Sequence, residues 1–381
     1  MPIVDKEIER PLGANVKTGP RRRRGAPRIL ALTVVVAALA GAGLFAVFDK
    51  DALRTPRPAT DATVSVEPAE AEPGTTPSEI EARSDSPSVI SVEPDGAAQN
   101  VIVIRDPSAL GQDQRVAHLP DRALIEQSEM GPLPVRAADG RRPFDVYARP
   151  WSGSGGTKIA LVIGGLGLSQ TGTQTAIRKL PPEVTLAFAP QGNSLDRWMR
   201  EARRAGHEIV MQLPLEPFDY PHVNPGRNTL TIAGSDEQNL GNLRWVLSRT
   251  TNYTGVMNYM GARFSADEAK FAPVMAEIGE RGLLYLDDGA SARSLAPDLA
   301  RANKTPFAVA TTTIDGERDR ASILKKLDEV EATARAKGSA LATGSAFETT
   351  VDAVTNWVAE AKRRGIEIVS VSALAADPEK K

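Results

Sequence analysis

From Lys158 onward, short apolar runs alternate with amphipathic stretches, and most runs stop in polar residues or glycine. Runs at 159–163, 185–188, 209–213, 255–258, 283–286, 307–310, 340–343 and 366–371 predict strands. Most are unbroken apolar segments, the pattern of strands buried on both faces. Between them, 195–205, 237–247, 266–280, 318–336 and 351–364 carry helical spacing. Asn193 or Ser194, Ser235 and Ser265 sit where N-caps belong, and Gly206, Gly282, Gly338 and Gly365 where helices end. Cations gather in the last helical turns, complementing the dipole. Seven or eight such units within about 220 residues predict a parallel (β/α)7-8 barrel, with an open doubly wound sheet as the alternative.

The N-terminal third has a different texture. Residues 29–48 form an uncharged apolar stretch of 20 residues, long enough to cross a bilayer as a helix. Arg21, Arg22, Arg23, Arg24 and Arg28 precede it and the mixed pair Asp49 and Lys50 follows. This asymmetry predicts a single-pass inner-membrane anchor with a cytoplasmic N-terminus (residues 1–28) and everything beyond residue 48 in the periplasm. A cleaved signal peptide is the competing reading; its apolar region would normally be shorter. Residues 49–115 are rich in Pro, Ala and Glu and predict a disordered linker. Residues 116–156 read as a lead-in whose end, 142–151, packs on the domain that follows (157–375).

Composition narrows the chemistry. The chain has no cysteine, so thiolate zinc, disulfides and redox pairs are excluded. A net charge of -2, three histidines and 5% aromatics offer nucleic acid little. The glycine-rich turn at 163–169 lacks the dinucleotide spacing, and no acid ends the next strand to take a ribose. Candidate chemistry therefore sits where barrels build sites, at the C-terminal ends of the strands. There the sequence places Glu216 in a Pro-Leu-Glu-Pro corner, Asn258 and Tyr259 after the fourth run, and Asp287 and Asp288 after the fifth. None of His118, His207 or His222 falls at such an end; His207 precedes its strand. Trp198, Trp245 and Trp357 lie on helical patterns, where packing is the expectation. Tyr285 reads equally well as inward or outward.

Six blocks in order carry a more specific signal: Leu161-Val-Ile-Gly-Gly-Leu-Gly167, Leu180-Pro-Pro-Glu-Val-Thr-Leu-Ala187, Gly206-His-Glu-Ile209 with Leu213-Pro-Leu-Glu-Pro217, Asn258-Tyr-Met-Gly261, Leu286-Asp-Asp-Gly289 and Gly344-Ser-Ala346. Over about 157–375 the chain resembles the divergent polysaccharide deacetylase family. The resemblance implies a barrel of the glycoside hydrolase/deacetylase type, a carbohydrate substrate and, in typical members, a divalent metal that activates water. It also exposes departures. Typical members resemble Ile-Asp-Asp-Leu-Gly at the first strand, where this chain has Gly164 and Gly165. They place His before Leu-Pro, where it has Gln212, and read Asn-His-Met-Gly, where it has Tyr259. A late Gly-His-Pro is replaced around Ser345. Zinc prefers imidazole, thiolate or carboxylate, so these changes remove ligands or a base.

Three readings follow from the same residues. In a catalytic one, Glu216, Asp287 and Asp288 build a carboxylate site, with zinc or another divalent cation if it turns over acetamido groups. In a binding one, Asn258, Gln212, Tyr259, Gly164, Gly165 and Ser345 hold polysaccharide or a peptidoglycan-like glycan. In a third, the barrel is a tethered scaffold for a protein partner.

Overall fold

The computed structural model describes residues 115–380. The predicted tail, the anchor at 29–48 and almost all of the predicted linker lie outside the described residues. Among the described residues no helix is long and apolar enough to cross a membrane.

The described chain opens with a hairpin, β1 (Ile125–Ser128) antiparallel to β2 (Gly131–Pro134), and a short helix α1 (Pro143–Val146). β3 (Lys158–Leu166) then begins a parallel sheet. Its partners are β4 (Thr185–Phe188), β5 (Ile209–Leu215), β6 (Gly255–Met260), β7 (Leu284–Asp287), β8 (Phe307–Val309), β9 (Thr312–Thr313), β10 (Ser339–Ser345) and β11 (Glu367–Val369). The order is β8-β7-β6-β5-β4-β3-β10-β9, and β11 pairs with the first residues of β3, whose later residues pair with β4. The predicted strand at 307–310 is in fact a bent run. It pairs with β7 through β8 and with β10 through β9, so one stretch of chain links the two edges of the curled sheet. The sheet is thus a parallel half-barrel of the expected α/β type, and among the described residues no strand pairing joins β8 to β9.

Helices pack around the outside: α2 (Gln170–Lys179), α3 (Leu195–Arg204), α4 (Asp236–Leu247), α5 (Glu268–Glu280), α6 (Ala296–Ala302), α7 (Arg320–Lys337) and α8 (Glu348–Arg363). Ser235 caps α4 through the Gln238 N–H at 3.1 Å. Ser265 does not cap α5. It belongs to a short 3-10 turn, and Asp267 accepts from the Lys270 N–H instead. Gly206, Gly282, Gly338 and Gly365 close their helices in the left-handed region at φ +69 to +90.

Two apolar layers result. Ile159, Leu161, Ile163, Met211, Leu213, Val256 and Tyr285 point outward to the helices. The alternate residues Ala160, Val162, Val210, Met257, Leu284, Leu286 and Leu341 fill the barrel interior, joined by Phe144 of α1 and by Val371. Through Phe144 the segment before β3 thus shares in the barrel's interior packing. Trp198 and Trp357 are buried in the outer layer and Trp245 packs against it. Tyr285 also faces the helices, edge-on to Phe271 at 5.4 Å, and is removed from any ligand.

Candidate functional site

At the C-terminal ends of the strands lies an open cleft of about 740 Å³. Its lining is the continuation of the interior phase. Val162 leads to Gly164, Val210 to Gln212, Met257 to Tyr259, Leu286 to Asp288, and Leu341 through Thr343 to Ser345. Because side chains alternate along a strand, the residues two beyond each interior position face the same space. By this alternation the structure brings Gly164, Gln212, Tyr259, Asp288 and Ser345 together, and Gly165 and Asn258, of the opposite strand phase, reach the same cleft.

The floor is built by Gln212. Its Oε1 accepts the Gly165 N–H at 2.9 Å, in a turn where Gly165 adopts φ +79. A Cβ added at Gly164 would stand 2.8 Å from Gln212 Nε2. The glutamine amide thus fills the space a side chain at 164 would need. Ser345 lies beside Gly164 in register, and its N–H donates to the buried Asp315 at 2.6 Å. Asp315 also accepts from the Thr350 hydroxyl at 3.1 Å and fixes this end of β10. The sequence reading missed Asp315, whose only signal is a turn-like Ile-Asp-Gly, and the half-exposed Phe347, which follows the Gly-Ser-Ala block and lines the rim. Tyr259 is 40% exposed on the same rim.

The expected carboxylate trio does not assemble. Glu216 is 4% exposed and committed to structure. It pairs with Arg263 at 2.8 Å, and its Oε2 accepts the Ile232 N–H at 2.6 Å. Asp287 continues the outward phase of Tyr285, accepting from the Gly289 N–H at 2.8 Å and from the Ser294 hydroxyl. Neither lines the cleft; Asp288 does. Asn258 braces it, taking the Asp288 N–H on Oδ1 at 2.7 Å while its own Nδ2 donates to the Met260 carbonyl at 2.8 Å. Of the histidines, His207 is buried at the opposite end between the Val184 and Ile177 carbonyls. His118 and His222 do not line the cleft either.

Burial raises the Asp288 carboxyl above the ordinary carboxylate value and Asp287 adds to the rise, partly offset by Asn258 and the Ala290 N–H. A carboxyl raised on folding holds its proton more tightly in the folded chain. Its charged form therefore costs stability above the folded pKa, and the cost disappears below the unfolded value of 3.8. Asp288→Asn is expected to raise the melting temperature at pH 7.5, with a gain that shrinks as pH falls toward 3.8. Melting curves across that range check this; a gain independent of pH would contradict it.

These residues do not fit the divalent metal that the resemblance implies. Two positions are glycine, Gln212 is locked to Gly165, and Tyr259 and Ser345 replace imidazole. Among the described residues no group of three or more His, Cys, Asp or Glu is placed to hold an ion. The cleft also lacks the paired carboxylates of glycoside hydrolysis. What it offers is one carboxylate, several hydrogen-bonding groups and an apolar and aromatic rim, a combination suited to holding a polar ligand with apolar faces.

The divergent polysaccharide deacetylase family matches residues 161–375. An uncharacterized protein of Agrobacterium tumefaciens C58 with a crystal structure is 56% identical, the match covering 64% of this chain and 99% of that one with a TM-score of 0.63. An uncharacterized Haemophilus influenzae protein is 23% identical over 188 residues, 49% of this chain and 66% of its own length. The uncharacterized Escherichia coli protein YibQ is 22% identical over 222 residues, 58% and 68% respectively. This chain thus spans about two thirds of the length of each of these two relatives. With matching strand-end blocks and more than half of its length matched, the chain belongs to the divergent polysaccharide deacetylase family.

Proposed function

We propose that the barrel holds a cell-envelope glycan in its mouth cleft without turning it over, and that residues 29–48 tether it to the inner membrane. One observation carries the reading: Gln212 closes over Gly164 and is tied to Gly165, so the floor is a hydrogen-bonding surface rather than a set of metal ligands. Tyr259 and Phe347 on the rim supply flat apolar faces for sugar rings, and Asn258 braces the backbone of Asp288, whose carboxylate is offered to hydroxyls. Turnover is the second reading, favoured by Asp288 alone, whose raised carboxyl suits proton transfer. A scaffold for a protein partner is the outcome if no glycan binds.

Thermal melting of the full-length chain with acetylated chito-oligosaccharides and with peptidoglycan fragments tests this. At a ligand concentration of 100 times Kd, binding adds about 2.7 kcal/mol. For a domain this size that is a rise of roughly 5–10 °C. The same rise is expected in excess chelator, with no acetate released. A rise abolished by chelation, or acetate release restored by zinc, would support turnover instead. Recovery of the chain in the soluble fraction after carbonate washing of membranes would defeat the anchor.

A further inference from the structure

We infer that Gln212 makes the cleft a reader of acetylation state: its amide nitrogen donates to the acetamido carbonyl of an amino sugar. The inference rests on the glycan-binding reading and adds a determinant of specificity to it.

The orientation of the Gln212 amide follows from its partner. The Gly165 N–H is a donor, so the oxygen must face it; the reverse would set two donors against each other. Nε2 is then turned to the Gly164 side, into room left by the missing Cβ. The residue is 6% exposed, and its nitrogen makes no hydrogen bond to any described residue. A donor left without a protein partner where it lines the cleft gains from an acceptor that reaches it. The Ser345 hydroxyl, beside Gly164 in register and without a described partner, supplies a second donor to the same region.

An acetamido group matches this floor in two ways. Its carbonyl oxygen has two lone pairs for two donors, and its methyl is suited to apolar neighbours such as Met257 and Ala346. Its N–H can be taken by Asp288, which also lines the cleft. An ammonium in its place would set donor against donor at Gln212 and leave the apolar surface uncovered. Rim aromatics Tyr259 and Phe347 favour an amide carried on a sugar over one in a peptide backbone.

The test is calorimetric titration of the full-length chain in detergent with chitotetraose and with its fully de-N-acetylated counterpart. One well-placed hydrogen bond predicts that native protein prefers the acetylated form by about tenfold. Gln212→Glu keeps the shape and the bond to Gly165 but replaces the donor with an acceptor, and is expected to reverse the preference toward the amine. Gly164→Ala leaves Gln212 in place chemically yet displaces its nitrogen, and is expected to weaken acetylated ligand by a similar factor. N-acetylalanine methylamide, an amide without a sugar, should not compete. Melting curves establish that each variant is folded. An unchanged preference in folded Gln212→Glu overturns the role of Gln212 while glycan binding stands; no binding of either oligosaccharide by native protein overturns both.

Discussion

Arg142→Ala is expected to lower stability by about 3–5 kcal/mol, the cost of stranding a buried charge, and so to lower the melting temperature by roughly 6–20 °C. The Arg142 side chain is 4% exposed and joins Asp145 at 2.6 Å, Asp377 at 2.5 Å and Glu379 at 3.1 Å. Burial alone would lower its pKa, but the bonds to Asp377 and Asp145 outweigh this and raise it on balance. The Asp377 carboxyl is itself nearly buried. Burial tends to raise it, and the bond to Arg142 holds it below the usual value of 3.8. A carboxyl lowered on folding contributes stability above its unfolded pKa and loses it as pH falls through the folded one. The gap between native and Arg142→Ala should therefore be full at neutral pH and narrow below about 3.8. Melting curves across pH check both size and slope; a loss under about 1 kcal/mol would show that the lead-in and the C-terminal segment are not locked together here.

Glu208→Ala is expected to cost a similar amount, about 3–5 kcal/mol. Glu208 is fully buried beneath the barrel and accepts the Arg149 N–H at 2.9 Å, the Ser372 N–H at 3.1 Å and the Ser372 hydroxyl at 2.5 Å. It is also the counter-charge to the buried Arg203, which donates to the Tyr147 carbonyl at 2.8 Å. Removing it strands three donors and a cation in one step. Glu208→Gln keeps an acceptor oxygen and should lose about half as much. Chemical denaturation of both variants measures the difference. Equal losses would show that charge, not acceptor number, sets the cost. Neither Arg142 nor Glu208 lines the mouth cleft, so glycan binding should survive in both variants where they remain folded.

The barrel was legible because its strands are continuous apolar runs and its helices end in recognisable caps. The hairpin at 125–134 was not, because prolines and short apolar patches let 116–156 be read only as a lead-in without strands of its own. At the mouth, the rule that strands end at the site picked out Gly164, Gln212, Asn258, Tyr259 and Ser345, which line one cleft. The same rule could not separate Asp287 from Asp288. That choice depends on strand phase, which is fixed by whether Tyr285 or Leu286 faces the interior, and both are apolar enough for either side. The closure of Gln212 over Gly164 was out of reach for a related reason: two positions 48 residues apart meet only once β3 and β5 curl around the same floor.

Glycan held in the mouth should meet protein groups, not a metal, at the floor of the cleft. Crystals of the zinc-replete protein soaked in chitotetraose test it most directly, with anomalous diffraction to locate any metal. The account predicts sugar density along Tyr259 and Phe347, an acetamido oxygen within hydrogen-bond distance of Gln212 Nε2, and no anomalous peak in the cleft. A metal peak between Asp288 and the floor, or sugar bound anywhere else, would contradict it.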